Sequence, residues 1–433
     1  TMSSLIDDIL INRIVGIPIF LFFMWGIFHL TFTLGEAPMS WLESLFGLLA
    51  KTLTLIIPQG FFRSLVVDGI IAGVGGVLIF VPNILILFFA ISLLESTGYM
   101  ARAAFVVDRT MHKIGLHGRS FIPMIIGFGC SVPAFLACRT LKNKADRLTT
   151  MLIIPFISCS AKLPVYVLLI GAFFPKPMAG SVLFGIYLFG ILVALIMARM
   201  LKTVIFKGDA EPFVMELPPY RIPSIRNLLI HTWEKTEMYI RKAGTVILLF
   251  AVLIWFLSNF PSDPAIKNKY ETKFRMVTLS QSFDERQKTQ QISSLEQGRA
   301  GEQLAYSFAG RIGKFIEPVI KPLGFNWEIG VALLAGFAAK EVVVSTLSTI
   351  SSISGSNTAL LQETLRHNPA FSPLIALSLM IFVLLYVPCM AATAVFHKEA
   401  GDIRWTRFYI LFTVGTAYVC SLLVYQGGKL LGF

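Results

Sequence analysis

Apolar runs separated by short polar punctuation set the character of this chain. Residues 14–34, 148–174, 178–201 and 408–425 each approach the roughly 20 apolar residues that cross a hydrocarbon layer about 30 Å thick. Further spans are predicted over 244–260, 328–347 and 373–396, and 64–94 reads as one kinked crossing, with Gly73, Gly75, Gly76 and Pro82 as the places to bend. The pattern predicts an all-α polytopic membrane protein with about eight crossings.

Charge bias orients the spans, because short cytoplasmic loops collect Lys and Arg. Arg139, Lys142, Lys144 and Arg147 mark one such loop; Arg199, Lys202, Lys207, Arg221, Arg226, Lys235, Arg241 and Lys242 mark another. Residues 148–174 therefore cross outward and 178–201 return, and both termini are expected in the cytoplasm. Residues 99–113 put Met100, Ala103, Ala104, Val107 and Met111 on one helical face and Arg102, Arg109 and Lys113 elsewhere, as an interfacial helix does. Residues 224–241 repeat the pattern with Ile225, Leu228, Leu229 and Thr232. The stretch 120–138 has Arg119 before it and Arg139 after it, which a single crossing does not satisfy. It predicts a re-entrant or broken hairpin, with Gly127, Gly129 and Pro133 supplying the break. The long polar stretch 261–327 is expected to be an external, largely helical insertion.

The two halves echo each other. Leu65-Val66-Val67-Asp68-Gly69-Ile70-Ile71-Ala72-Gly73 aligns with Glu328-Ile329-Gly330-Val331-Ala332-Leu333-Leu334-Ala335-Gly336, and 155–159 has a counterpart at Pro388-Cys389. A duplicated unit with broken spans is the usual sequence pointer to a transport site.

Composition agrees with the pattern: 55% of the 433 residues are hydrophobic and 14% charged, against about 25% charged in soluble domains. The net charge of +12 is spread between apolar runs and along amphipathic segments, so lipid headgroups, not nucleic acid, are the expected partner. The five cysteines all lie in or beside apolar runs, which implies thiols and no disulfide framework.

Three of those thiols sit beside helix breakers: Cys130 with Gly129 and Pro133, Cys159 between Pro155 and Pro164, and Cys389 after Pro388. A break releases backbone carbonyls that lipid cannot satisfy. Sulfur is a soft ligand that suits Fe²⁺, Zn²⁺, Mn²⁺ or Cu⁺ over Mg²⁺ or Ca²⁺, and a thiol at the positive end of a half-helix loses its proton more easily. Cys130, Cys159 and Cys389 are therefore the candidate metal ligands, with Gly127, Gly129, Ser131, Pro133, Ser158, Ser160, Pro388 and Met390 as pathway or supporting residues. The competing reading of each thiol is a small buried hydrophobe, and Cys138 and Cys420, which lack a break, are assigned to it. Lys340 and Glu341 fall late in an apolar run, where ionisable groups mark function or an inner-surface salt bridge; Glu341 is the better cation ligand. Asp68 reads as a helix-start charge or a ligand at the outer mouth. No phosphate-binding loop, His-Glu-x-x-His or Gly-x-Ser-x-Gly occurs, and the segment is not expected to be an enzyme.

Val67-Asp68-Gly69, residues 95–105, Gly127-Phe128-Gly129-Cys130-Ser131-Val132-Pro133-Ala134, Arg139-Thr140-Leu141, residues 155–166, and Ala335-Gly336-Phe337 with Lys340-Glu341-Val342-Val343 together resemble the membrane domain of the FeoB ferrous-iron transporters. The resemblance covers about 14–425. It implies two Gate-type repeats, 14–203 and 243–425, joined by a cytoplasmic amphipathic connector over 204–242. The insertion 261–327 would lie in the second repeat, with 426–433 as a tail. It implies Fe²⁺ as a substrate carried into a bacterial cytoplasm across the inner membrane along a thiol- and carbonyl-lined path between the repeats, with no cofactor in this segment. It also implies a GTP-binding domain ahead of the linker 1–13, with GTP bound only there, and small accessory proteins and further copies of the chain as partners. On the residues alone two alternatives stay open: a permease for a small organic solute such as a nucleoside, and a membrane scaffold that docks a partner protein.

Overall fold

The computed structural model describes residues 7, 10–11, 13–58, 60–206, 220, 223–279, 285–350, 358–368 and 371–432, and among them every regular element is helical. Among the described residues six helices are long and apolar enough to cross a membrane: Pro18–Ile56, Phe61–Ser96, Lys144–Phe173, Lys176–Val204, Pro373–Ala400 and Ile403–Leu430. Leu248–Asn259 and Pro264–Val277, bent by 72°, pass the same test as a pair. The expected span over 328–347 is present as two short helices, Trp327–Gly336 and Val342–Ile350, and neither is long enough to cross alone. Every expected crossing thus has a helical counterpart.

Three elements differ in extent from their sequence signals. The first helix, Arg13–Ile56, holds 44 residues and continues past Glu36 and Glu43, where hydropathy fades. At about 1.5 Å per residue it is roughly twice the hydrocarbon thickness. The 64–94 crossing bends through a π-helical stretch, Leu65–Ile71, followed by a turn near Phe80. Residues 225–259 form one unbroken helix, so the amphipathic segment and the span after it share an axis.

The chain divides into two compact units, each assembled from separated segments. The first comprises Thr1–Ser160, Phe189–Leu249 and Met390–Leu411. The predicted hairpin is here as two short helices, Phe121–Gly127 and Ser131–Ala137. Phe135 is fully buried, 5.7 Å from the Phe396 ring and 6.2 Å from Tyr409. The amphipathic helix Tyr99–Lys113 buries Tyr99 and Ala103 against Phe20 and Met24.

The second unit comprises Ala161–Leu188, Phe250–Cys389 and Phe412–Phe433. The polar insertion is helical as expected: Pro264–Leu279, Glu285–Tyr306 and Phe308–Ile320. The first two are tied by Lys269 donating to Glu302 at 2.7 Å. The third packs closely on Trp327–Gly336, where a Cβ at Gly313 would stand 2.9 Å from the Trp327 carbonyl oxygen. Small residues at such crossings let helix backbones approach.

Candidate functional site

In the first unit the hairpin breaks where glycine and proline place the break. The N–H groups of Phe128, Gly129 and Cys130 turn back to the carbonyls of Ile125, Ile126 and Ile126 at 3.0–3.1 Å. Cys130 is extended (φ −154°, ψ 133°) and begins the helix Ser131–Ala137. Pro133 falls in that helix's first turn, where its missing N–H would have had no partner in any case.

The break at Cys130 is bonded to the break at Cys159. The Gly129 carbonyl accepts both the Ser160 N–H (3.3 Å) and the Ser160 hydroxyl (3.0 Å). The residue before one thiol therefore holds the residue after the other. A Cβ at Gly127 would be in ordinary van der Waals contact with Ile154 and Ile157, at 3.6–3.7 Å. Gly129 has less room: a Cβ there would stand 2.8 Å from Phe28 Cε1 and 3.2 Å from Leu87 Cδ2. Cys159 and Ser158 are buried and Cys130 is half-buried. Ser131 Oγ is buried and makes no hydrogen bond among the described residues.

The third thiol belongs to the second unit. Helix Pro373–Leu385 ends at Tyr386, and residues 386–389 are unwound up to Cys389. The fully buried Lys162 donates to the Leu384 carbonyl at 2.6 Å. Lys340, also buried, has its ammonium 2.9 Å from the centroid of the Tyr386 ring. Lys340 and half-buried Glu341 lie in the turn that separates Trp327–Gly336 from Val342–Ile350. Asp68 is exposed in the π-helical stretch and accepts from Ser64 Oγ at 2.8 Å, and such bulges often mark functional positions.

Two carbonyls at the breaks, those of Gly129 and Leu384, are thus bound by protein donors. Among the described residues no three His, Cys, Asp or Glu side chains form a ready cage for a metal, and none of the five cysteines is in a disulfide.

Several polar residues of these units have roles that the sequence reading did not assign. Lys162 could have been singled out as a lysine inside the apolar run 148–174. Asp146 is buried and paired with Lys202, and His117 Nε2 lies 3.0 Å away. Arg139 binds Glu399 through two bonds, one of 2.8 Å, anchoring the hairpin's end to helix Met390–Ala400. Arg102, on helix Tyr99–Lys113, is buried and donates to Asp7 at 2.6 Å. Tyr220 O–H also donates to Asp7, at 2.7 Å, and the Arg102 guanidinium lies 3.6 Å over the Tyr220 ring.

Arg102's hydrogen bond holds the Asp7 carboxyl below its ordinary range. A depressed pKa contributes stability that is fully present above the unfolded value, about 4, and is lost as pH falls through the folded value. Asp7→Asn should therefore lower the melting temperature at pH 7, and its deficit against the unsubstituted chain should shrink below about pH 4. Melting curves of both chains across that range check it.

Helices of membrane length, a broken hairpin in one unit and broken helices with buried lysines in the other define a helical membrane protein with interrupted spans. A family model described as "Nucleoside recognition", the Gate domain, matches residues 77–173 and 240–403, and one described as "Ferrous iron transport protein B C terminus" matches 183–235. The chain belongs to the FeoB family. It is 48% identical to the Fe(2+) transport protein A/Fe(2+) transporter FeoB fusion protein of Porphyromonas gingivalis, over 99% of this chain and 52% of that protein. It is 46% identical to the Fe(2+) transporter FeoB of Campylobacter jejuni, over 99% of this chain and 66% of the relative. For the Helicobacter pylori J99 protein of the same name the identity is 44%, over 98% and 66%. The chain thus spans about half to two thirds of the length of these relatives. No solved structure is significantly similar to it.

Proposed function

We propose that this chain is the membrane-spanning part of a ferrous-iron importer of the bacterial inner membrane, with Cys130, Cys159 and Cys389 as ligands on the ion's path. The observation that carries the reading is similarity along nearly the whole chain to proteins named Fe(2+) transporters, together with thiols at three helix breaks. Fe²⁺ sheds part of its water against the sulfurs and moves inward past Glu341 towards the basic loops. Fe²⁺ lies low in the Irving–Williams order, so selectivity over Zn²⁺ comes from geometry and supply. Binding is modest, as release requires.

The remaining parts of the proposal concern organisation. The two matched stretches of the Gate model support reading the halves as two repeats. Both termini face the cytoplasm, 261–327 lies outside, and a GTP-binding domain precedes the linker 1–13 in the whole protein. One relative is a fusion with an Fe(2+) transport protein A, which supports a small accessory protein as partner.

Flux into liposomes containing the purified chain tests the function. The reading expects Fe²⁺ to accumulate and uridine to stay outside. Uridine uptake without iron uptake would point to an organic-solute permease, and no flux of either would leave a scaffold.

A further inference from the structure

The chemistry around Lys162 is not explained by ion coordination, since an ammonium repels a cation. The last turn of a helix leaves its carbonyls without backbone partners. For Leu384, the residue one helical turn further on is Pro388, which has no N–H to give. Lys162 Nζ is 2.6 Å from that oxygen, and the side chain is 0% exposed. A buried ammonium is retained only where hydrogen bonds and favourable potential offset its dehydration, and the negative end of helix Pro373–Leu385 supplies both. Two residues on, Tyr386 carries the second buried ammonium, that of Lys340, on its ring face. The turn leading to Cys389 is therefore gripped at Leu384 and at Tyr386. Lys162 occupies the position just before helix Leu163–Phe173, so its backbone is continuous with that helix.

We propose that Lys162 is a positioning residue: its ammonium stands in for the N–H that Pro388 lacks, holding the turn 386–389 open and fixing how Cys389 is presented. It also occupies the Leu384 oxygen, so a passing ion meets the sulfur. The consequence for iron rests on the proposed function; the consequence for Cys389 does not.

The test uses the full chain with Cys130, Cys138, Cys159 and Cys420 replaced by serine, leaving Cys389 as the single thiol. Its rate of modification by a small methanethiosulfonate reagent in liposomes is compared with that of the same chain carrying Lys162→Met or Lys162→Arg. Lys162→Met is expected to change the rate at least tenfold, whereas Lys162→Arg, which can still donate to the carbonyl, stays within about threefold of the parent. In the cysteine-intact chain the same pair should lose and keep ferrous flux respectively. Adding Pro388→Ala to Lys162→Met restores an N–H, so the melting temperature should recover while the modification rate and flux do not. A merely structural lysine would recover all three together. If Lys162→Met cannot be purified folded, Pro388→Ala alone decides: the new N–H competes for Leu384 and should slow modification of Cys389. An unchanged rate in Lys162→Met, or in Pro388→Ala where that is the deciding variant, overturns the proposal. Absence of flux in the unsubstituted chain would remove the iron reading instead, with the modification rates still interpretable.

Discussion

Gly129→Val should cut ferrous flux into liposomes by about tenfold or more, with Gly129→Ala intermediate. The reason is room, since the added atoms meet the edge of Phe28 2.8 Å away and Leu87 3.2 Å away. Overpacking of this kind costs roughly 1–3 kcal/mol, and about 1.4 kcal/mol is a factor of ten. Moving Gly129 also moves its carbonyl, which holds the Ser160 N–H and hydroxyl. The bond joining the Cys130 break to the Cys159 break is then strained or lost. A fall in flux with the melting temperature lowered by only a few degrees is the expected pair of readings. A valine variant that carries iron at the unsubstituted rate would take the hairpin off the path.

Local pattern made much of this architecture legible. Gly127, Gly129 and Pro133 between Arg119 and Arg139 specified a broken hairpin because each is a backbone statement: released helix, restart in a first turn, charge on both flanks. Apolar periodicity located the amphipathic helix Tyr99–Lys113 for the same reason, since one face must meet lipid or core. The full reach of Arg13–Ile56 escaped because helix geometry continues beyond the lipid-length signal, through Pro18 and Pro38.

What stayed hidden is long-range pairing. Lys162 and Leu384 are 222 residues apart, and Arg139 and Glu399 are 260 apart, so no window of sequence contains either pair. The same distance conceals that each compact unit draws segments from both halves of the chain. The expectation that breaks release backbone oxygens was sound physics, but at Gly129 and Leu384 the protein supplies the donors itself. That shifts the weight of any cation site onto sulfur.

Replacing sulfur by oxygen at a break should therefore cost the transported ion its soft ligand while leaving packing nearly unchanged, because a serine hydroxyl fills almost the same space. Cys138 provides the contrast: it is fully buried, its thiol donates to the Ala134 carbonyl at 3.4 Å, and no glycine or proline adjoins it. A hydroxyl there can make the same bond, so Cys138→Ser should transport normally. Ferrous flux into liposomes, comparing the unsubstituted chain with Cys130→Ser, Cys159→Ser and Cys389→Ser, tests the central claim most directly. A loss of about tenfold in each of the three, with Cys138→Ser unaffected, is the result expected of thiols that carry the ion. Undiminished flux in all three would contradict it.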